Sequence, residues 1–156
     1  GIIKTFPGLI KAFTKFYVLK KGNKTDFKEK MYRFLPYINI EKDLPEFWAS
    51  HKNNIKDWYY KTQREDDVII SASPEFLLEP ICKELGIKYL MASKVDMKTG
   101  KYEGINCHGK EKVRRFYEMF PDGKIEDFYS DSYSDSPLAE ISKKAFLVKG
   151  NELKDW

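Results

Sequence analysis

Three stretches of the chain carry side chains whose types and spacing could do chemistry. In Val68-Ile69-Ile70-Ser71-Ala72-Ser73-Pro74, a hydroxyl and the amides of small residues meet a helix amino terminus, where unpaired N–H groups and the helix dipole favour an anion. Asp131 and Asp135 lie four residues apart among Ser132, Ser134 and Ser136, at the end of an apolar run. Two carboxylates on one side of a tight turn repel each other unless a cation sits between them, and hard oxygen donors of this kind suit Mg²⁺. Between the two comes a basic helix start, Lys110-Glu111-Lys112-Val113-Arg114-Arg115-Phe116, from which a lysine would neutralise a bound phosphate. Taken singly, each has an ordinary reading: a helix cap, a solvated Asp/Ser turn and surface lysines. Their order along the chain is the stronger signal.

The remaining reactive residues read as structural. Cys107-His108 has no second Cys/His pair at ligand spacing, which argues against zinc. His51 falls on an apolar helix face and reads as packed. Cys82 lies in an apolar helix and reads as core.

The elements that must position these residues divide at about residue 65. Up to Glu65, large apolar residues recur at helical spacing. Leu9, Phe13, Phe16 and Tyr17 form one stripe. Phe27, Met31, Phe34 and Leu35 form another after a Thr25-Asp26 cap signal. Leu44, Phe47, Trp48, His51, Ile55, Trp58 and Tyr59 continue as two helices meeting near Asn53-Asn54. These helices are expected to form a subdomain packed mostly against itself and over the sheet edge, with Lys4, Lys11, Lys15, Lys20 and Lys21 adding basic character.

From Asp66 the pattern alternates. Val68-Ile69-Ile70 is a strand covered on both faces. Ser73 caps a helix that begins at Pro74, runs from Phe76 to Leu85 and stops at Gly86. Tyr89 to Ala92 is the next strand, and Val95 to Gly104 is a hairpin. Lys110 to Phe120 is helical, Phe128-Tyr129 is a short strand, and a helix from Leu138 to Lys144 precedes a last strand, Ala145 to Val148. Such alternation predicts an α/β fold with a parallel sheet, whose ligands sit at the strand carboxyl ends.

Composition narrows the classes. The 156 residues carry 28 basic and 24 acidic side chains, a net charge of +4 with no Lys/Arg block. That permits an anionic ligand but does not argue for nucleic acid. No apolar run approaches the roughly 20 residues of a membrane span. Two cysteines make no disulfide framework, so a reduced, cytoplasmic setting is expected. Gly1-Ile2-Ile3-Lys4 has neither an initiator Met nor the parts of a signal peptide.

The series Ser71, then Lys112, then Asp131-Ser132-x-x-Asp135-x-Pro137, spaced 41, 19 and 4 residues apart, resembles the haloacid-dehalogenase-like phosphatases. The likeness is to the phosphoserine phosphatase-like branch with a helical cap. It covers residues 66–151 closely and residues 1–65 more loosely. It implies a Rossmann-like parallel core at residues 66–156 and an all-helical cap at residues 1–65. It further implies a Mg²⁺-dependent phosphomonoester hydrolase acting on a small phosphorylated metabolite, without nucleic-acid or membrane partners. By this resemblance Ser71 bonds the transferring phosphoryl group, with the amides of Ala72 and Ser73 nearby. Lys112 balances charge on nucleophile and phosphate, with Lys110 as the competing assignment. Asp131 is a direct Mg²⁺ ligand, and Asp135 holds the ion through water or from behind. The family's first motif, Asp-x-Asp-x-Thr, supplies the nucleophile, yet no Asp-x-Asp occurs in these 156 residues. The chain is therefore expected to begin inside the cap insert, with the sheet's first strand upstream. Without that strand the rival reading is a non-catalytic domain that binds phosphate and Mg²⁺. In either case Ser71, Lys112, Asp131 and Asp135 are expected to converge at one edge of one parallel sheet.

Overall fold

The computed structural model describes residues 24–156. The stripe of Leu9, Phe13, Phe16 and Tyr17, the five basic residues from Lys4 to Lys21 and the side chain of Phe27 lie outside the described residues. Helices open the described chain: α1 (Lys24–Tyr32), a 3₁₀ turn at Leu35–Tyr37, α2 (Ile40–His51), a 3₁₀ turn at Lys52–Asn54, and α3 (Asp57–Thr62). The expected break near Asn53-Asn54 is present. The side-chain oxygen of Asn39 caps α2 by accepting from the amide of Lys42 at 3.2 Å.

Side-chain bonds fasten these helices to the rest of the chain. The indole N–H of Trp48 in α2 donates to the carbonyl of Leu77 at 2.7 Å, and Gln63 after α3 donates to the carbonyl of Leu85 at 2.6 Å. Neither α2 nor α3 has a fully buried residue, and Phe47 and Tyr60 are exposed. His51 is likewise exposed at the end of α2, stacked on Phe47 at 4.3 Å, instead of packed in a core.

The α/β part follows as β1 (Val68–Pro74), α4 (Glu75–Glu84), β2 (Tyr89–Ser93), α5 (Lys110–Met119), β3 (Ile125–Ser130), α6 (Ser136–Ala139), β4 (Ser142–Lys149) and β5 (Glu152–Asp155). Gly86, at φ 72°, ends α4 where the sequence placed its stop. Three boundaries differ from expectation. Pro74 is extended (φ −60°, ψ 137°) and buried, so β1 runs through it and Ser73 is not a helix cap. The helix expected to reach Lys144 is only Ser136–Ala139, because pairing with β3 draws Ser142 onward into β4. The chain also does not close on β4. It turns back at Gly150 (φ 64°) into β5, whose four residues are all exposed and carry no apolar alternation to announce a strand.

The strands form two sheets. β1 pairs in parallel with β2, β3 pairs in parallel with β4, and β5 is antiparallel to β4. The expectation of one continuous sheet is not met. No described strand pairs with the outer edge of β1 or of β3, and a cleft of about 660 Å³ lies between them. Consecutive residues of both strands, Val68 to Ser71 and Ile125 to Ser130, line this cleft, so their backbone edges face it.

A tight loop joins α1 to the α/β part. Val95 and Tyr102 make an isolated antiparallel bridge around Asp96-Met97-Lys98-Thr99-Gly100, and Asp96 accepts from the amide of Lys98 and the hydroxyl of Thr99. Gly100 has φ +71°, and a Cβ there would stand 2.5 Å from the carbonyl oxygen of Tyr32 in α1. Gly100→Ala is therefore expected to cost about 2 kcal/mol. Urea unfolding should show the loss, and amide exchange should show α1 opening before the strands.

Candidate active site

The ladder between β1 and β2 matches Ile70 with Met91 and then Pro74 with Ser93, so Ser71, Ala72 and Ser73 bulge from the register. Within the bulge the Ser71 hydroxyl accepts the amide of Ser73 at 3.1 Å. A short polar side chain can thus satisfy backbone that has left the ladder. Ser71 lines the cleft at its strand-carboxyl end, while Ala72 and Ser73 lie beside it outside the lining.

After the carboxyl end of β3 the chain forms a serine-rich 3₁₀ turn. The Ser132 hydroxyl accepts from the amide of Ser134 at 3.2 Å, and Ser130 donates to Asp135 Oδ2 at 2.8 Å. Asp135 Oδ1 lies 2.7 Å from Lys112 Nζ, with the two side chains only 13% and 8% exposed. Asp131 is exposed at the cleft.

Lys112 reaches Asp135 because of how α5 is set. Lys112 and Phe116, one turn apart, are the buried residues of this helix, and both line the cleft. Lys110 is exposed. Burial thus favours Lys112 over Lys110 as the lysine facing the carboxylates.

A clamp at the carboxyl end of β2 fixes the helix. Arg115 donates to the carbonyls of Ala92 and Ile105, each at 2.6 Å, and to Glu111 Oε1 at 2.9 Å. The wholly buried Ser93 hydroxyl donates to Asn106 and accepts from the amide of Cys107. Sequence reasoning had not singled out Arg115, Ser93 or Asn106. The signal was available in the i, i+4 pair Glu111–Arg115 on this helix. Cys107 is fully buried, burial pushes its thiol up, and it belongs to this packing. Cys82 is buried, as its apolar helix face implied.

The Glu111 carboxyl is held down to about 2 by the Arg114 guanidinium and then by Arg115, against the opposing effect of burial. A carboxyl with a depressed folded value stabilises the fold above its unfolded value and loses that contribution as pH falls through the folded one. Stability should therefore fall between about pH 4.5 and about pH 2. Glu111→Gln should flatten that acid limb and lower stability at neutral pH, read from urea midpoints across the range.

The site residues therefore end strands of separate sheets, which would speak against a shared site if the sheets were packed apart. Instead Ser71, Lys112, Asp131 and Asp135 all line one cleft. No group of three or more His, Cys, Asp or Glu side chains suited to a metal occurs among the described residues. Two carboxylates with serine hydroxyls beside them nevertheless fit Mg²⁺, which keeps most of its waters and binds through one or two carboxylates plus a phosphate.

The family model for haloacid dehalogenase-like hydrolases matches residues 7–140. Protein CicA of Caulobacter vibrioides is 32% identical over 81 residues, which are 48% of this chain and 36% of that protein. A Mycobacterium tuberculosis protein named probable phosphatase Rv3661 is 32% identical over 99 residues, 57% of this chain and 33% of its own length. The chain thus spans about a third of the curated relatives it matches. No solved structure matches it.

Proposed function

The chain belongs to the haloacid dehalogenase-like hydrolase family, and from that premise we propose that it is the cap and much of the core of a Mg²⁺-dependent phosphomonoester hydrolase. The observation that carries the reading is the cleft between β1 and β3, which Ser71, Lys112, Asp131 and Asp135 all line. One relative's name, probable phosphatase, supports the same chemistry. Residues 1–65 are assigned to a helical cap and residues 66–156 to the core. A small phosphorylated metabolite is the substrate class, and the reading invokes neither nucleic acid nor a membrane. Among the described residues, no helix is long and apolar enough to cross one.

In this proposal the Ser71 hydroxyl and the amides of Ala72 and Ser73 receive the phosphoryl oxygens. Lys112, oriented by Asp135, balances charge. Asp131 and Asp135 would hold the cation, which when bound would neutralise charge that builds on the phosphoryl group. The nucleophile is an aspartate on a strand that occupies the cleft. Its carboxylate forms a bond to phosphorus as the ester P–O bond breaks, and a neighbouring acid gives the departing alkoxide a proton. Water then cleaves the aspartyl-phosphate, releasing inorganic phosphate and restoring the carboxylate. Positioning and charge neutralisation supply most of the catalysis, as in other phosphoryl transfers.

Acid quenching tests this. A form extended by an Asp-x-Asp strand, stopped during turnover, should retain phosphate on the protein in a hydroxylamine-labile linkage. Turnover without any trapped phosphate would contradict the covalent route.

A further inference from the structure

We propose that Lys28 of α1 is a positioning residue: by holding the Ala72 carbonyl it sets the peptide plane that presents the Ser71 hydroxyl to a phosphate. The assignment rests on the phosphate reading of the cleft, and it acts through Ser71 alone.

Lys28 Nζ donates to the carbonyl of Ala72 at 2.8 Å, and the amide of Ser73 donates to the Ser71 hydroxyl at 3.1 Å. Both bonds belong to the 72–73 peptide. That peptide is trans and planar, so its carbonyl and its N–H point in opposite directions. Fixing the carbonyl toward α1 therefore fixes the N–H toward Ser71. A serine hydroxyl that accepts this N–H keeps its own O–H to donate. Ser71 lines the cleft, so the O–H is available to a phosphoryl oxygen there. An outside donor is needed for this. Ser71 to Ser73 lie between the Ile70–Met91 and Pro74–Ser93 pairs, where the register with β2 shifts, and a disrupted ladder does not dictate the plane.

Lys28 can serve as that fixed point because α1 is held on both sides of it. The side chain of Asn106 donates to Thr25 Oγ1 at 3.3 Å, and the amide of Tyr102 donates to Glu29 Oε1 at 3.0 Å. Past the end of that turn, Gly100 lets the loop backbone approach Tyr32 more closely than any Cβ would allow. The loop after β2 therefore acts as a seat for α1, and α1 in turn sets the bulge of β1. Lys28 itself lies outside the lining of the cleft, as suits a residue that works through its neighbour.

Amide exchange by NMR, together with titration by inorganic phosphate in the presence of Mg²⁺, tests the assignment on residues 1–156. Lys28→Met keeps the aliphatic stem and removes the donor. Exchange of the Ser73 amide should then rise about tenfold, the size of one hydrogen bond. The Tyr102 amide, which reports the seat of α1, should keep its protection. Lys28→Arg still donates and should restore the Ser73 amide. Phosphate binding should weaken about tenfold in Ser71→Ala and about fivefold in Lys28→Met. The double variant should bind within about twofold of Ser71→Ala, because the two residues act as one unit. Additive losses in the double variant would mean that Lys28 meets the ligand directly. An unchanged Ser73 amide in Lys28→Met would mean that it does not set the peptide, and loss of Tyr102 protection alongside would mean that it only fastens α1. Each of these three overturns the assignment and leaves the phosphate pocket standing. If the parent binds no phosphate, or Ser71→Ala changes nothing, the pocket reading fails and the assignment with it.

Discussion

Turnover of an aryl phosphate by residues 1–156 alone is expected to lie several powers of ten below that of a form extended by an Asp-x-Asp strand, as for other enzymes lacking a catalytic nucleophile. The sequence contains no Asp-x-Asp, and the proposal gives Asp131 and Asp135 roles other than nucleophile. Asp135 is engaged by Lys112 and Ser130. Asp131 follows directly on β3, in the position proposed for holding the cation. The same comparison should reveal a difference in assembly. β1 and β3 each present an edge that no described strand pairs, and unpaired edges template association. The 156-residue chain should therefore associate in a concentration-dependent way by sedimentation, and the extended form should not. Equal turnover by both forms would mean that the nucleophile lies within these 156 residues.

The second large effect concerns Lys112. Its ammonium and the Asp135 carboxylate are nearly enclosed, so removing one leaves the other as an uncompensated charge. Lys112→Met should lower stability by about 3 kcal/mol. Lys112→Met combined with Asp135→Leu should recover most of that, because an apolar pair of similar size carries no unpaired charge. Both forms should lose activity, since each removes charge balance at the phosphoryl site. A double-mutant cycle in urea separates the two readouts. If the single and double variants prove equally unstable, packing of the lysine stem beside Phe116 is the main contribution, and not the ion pair.

Local chemistry made much of this legible in the sequence. Val68-Ile69-Ile70, the Gly86 stop and the run from Lys110 to Phe120 each carry their own pattern, and the corresponding elements form within a few residues of expectation. Lys112 could be read as inward because it lies one turn before Phe116 on the apolar side of α5. What local pattern could not carry was pairing. The division into two sheets depends on which strand edges meet across the chain, and β5 consists of four exposed residues whose partner alone makes them a strand. The bulge at Ser71–Ser73 likewise arises from a register mismatch with β2 and not from the serines alone. The Arg115 clamp joins three segments and is visible only once they are folded together. The seating of α1 on the loop after β2 is of the same kind, since Gly100 reads as an ordinary turn glycine until Tyr32 lies against it.

The central claim is that the cleft between β1 and β3, with its serine bulge and paired aspartates, is the reaction site of a metal-assisted phosphatase. Hydrolysis of a generic aryl phosphate by the extended form, followed with and without Mg²⁺ and with Asp131→Asn, tests it most directly. The account predicts Mg²⁺-dependent turnover in the parent and its near-complete loss in Asp131→Asn, with the fold intact by circular dichroism. Undiminished turnover in Asp131→Asn, or no turnover by a folded parent with Mg²⁺, would contradict it.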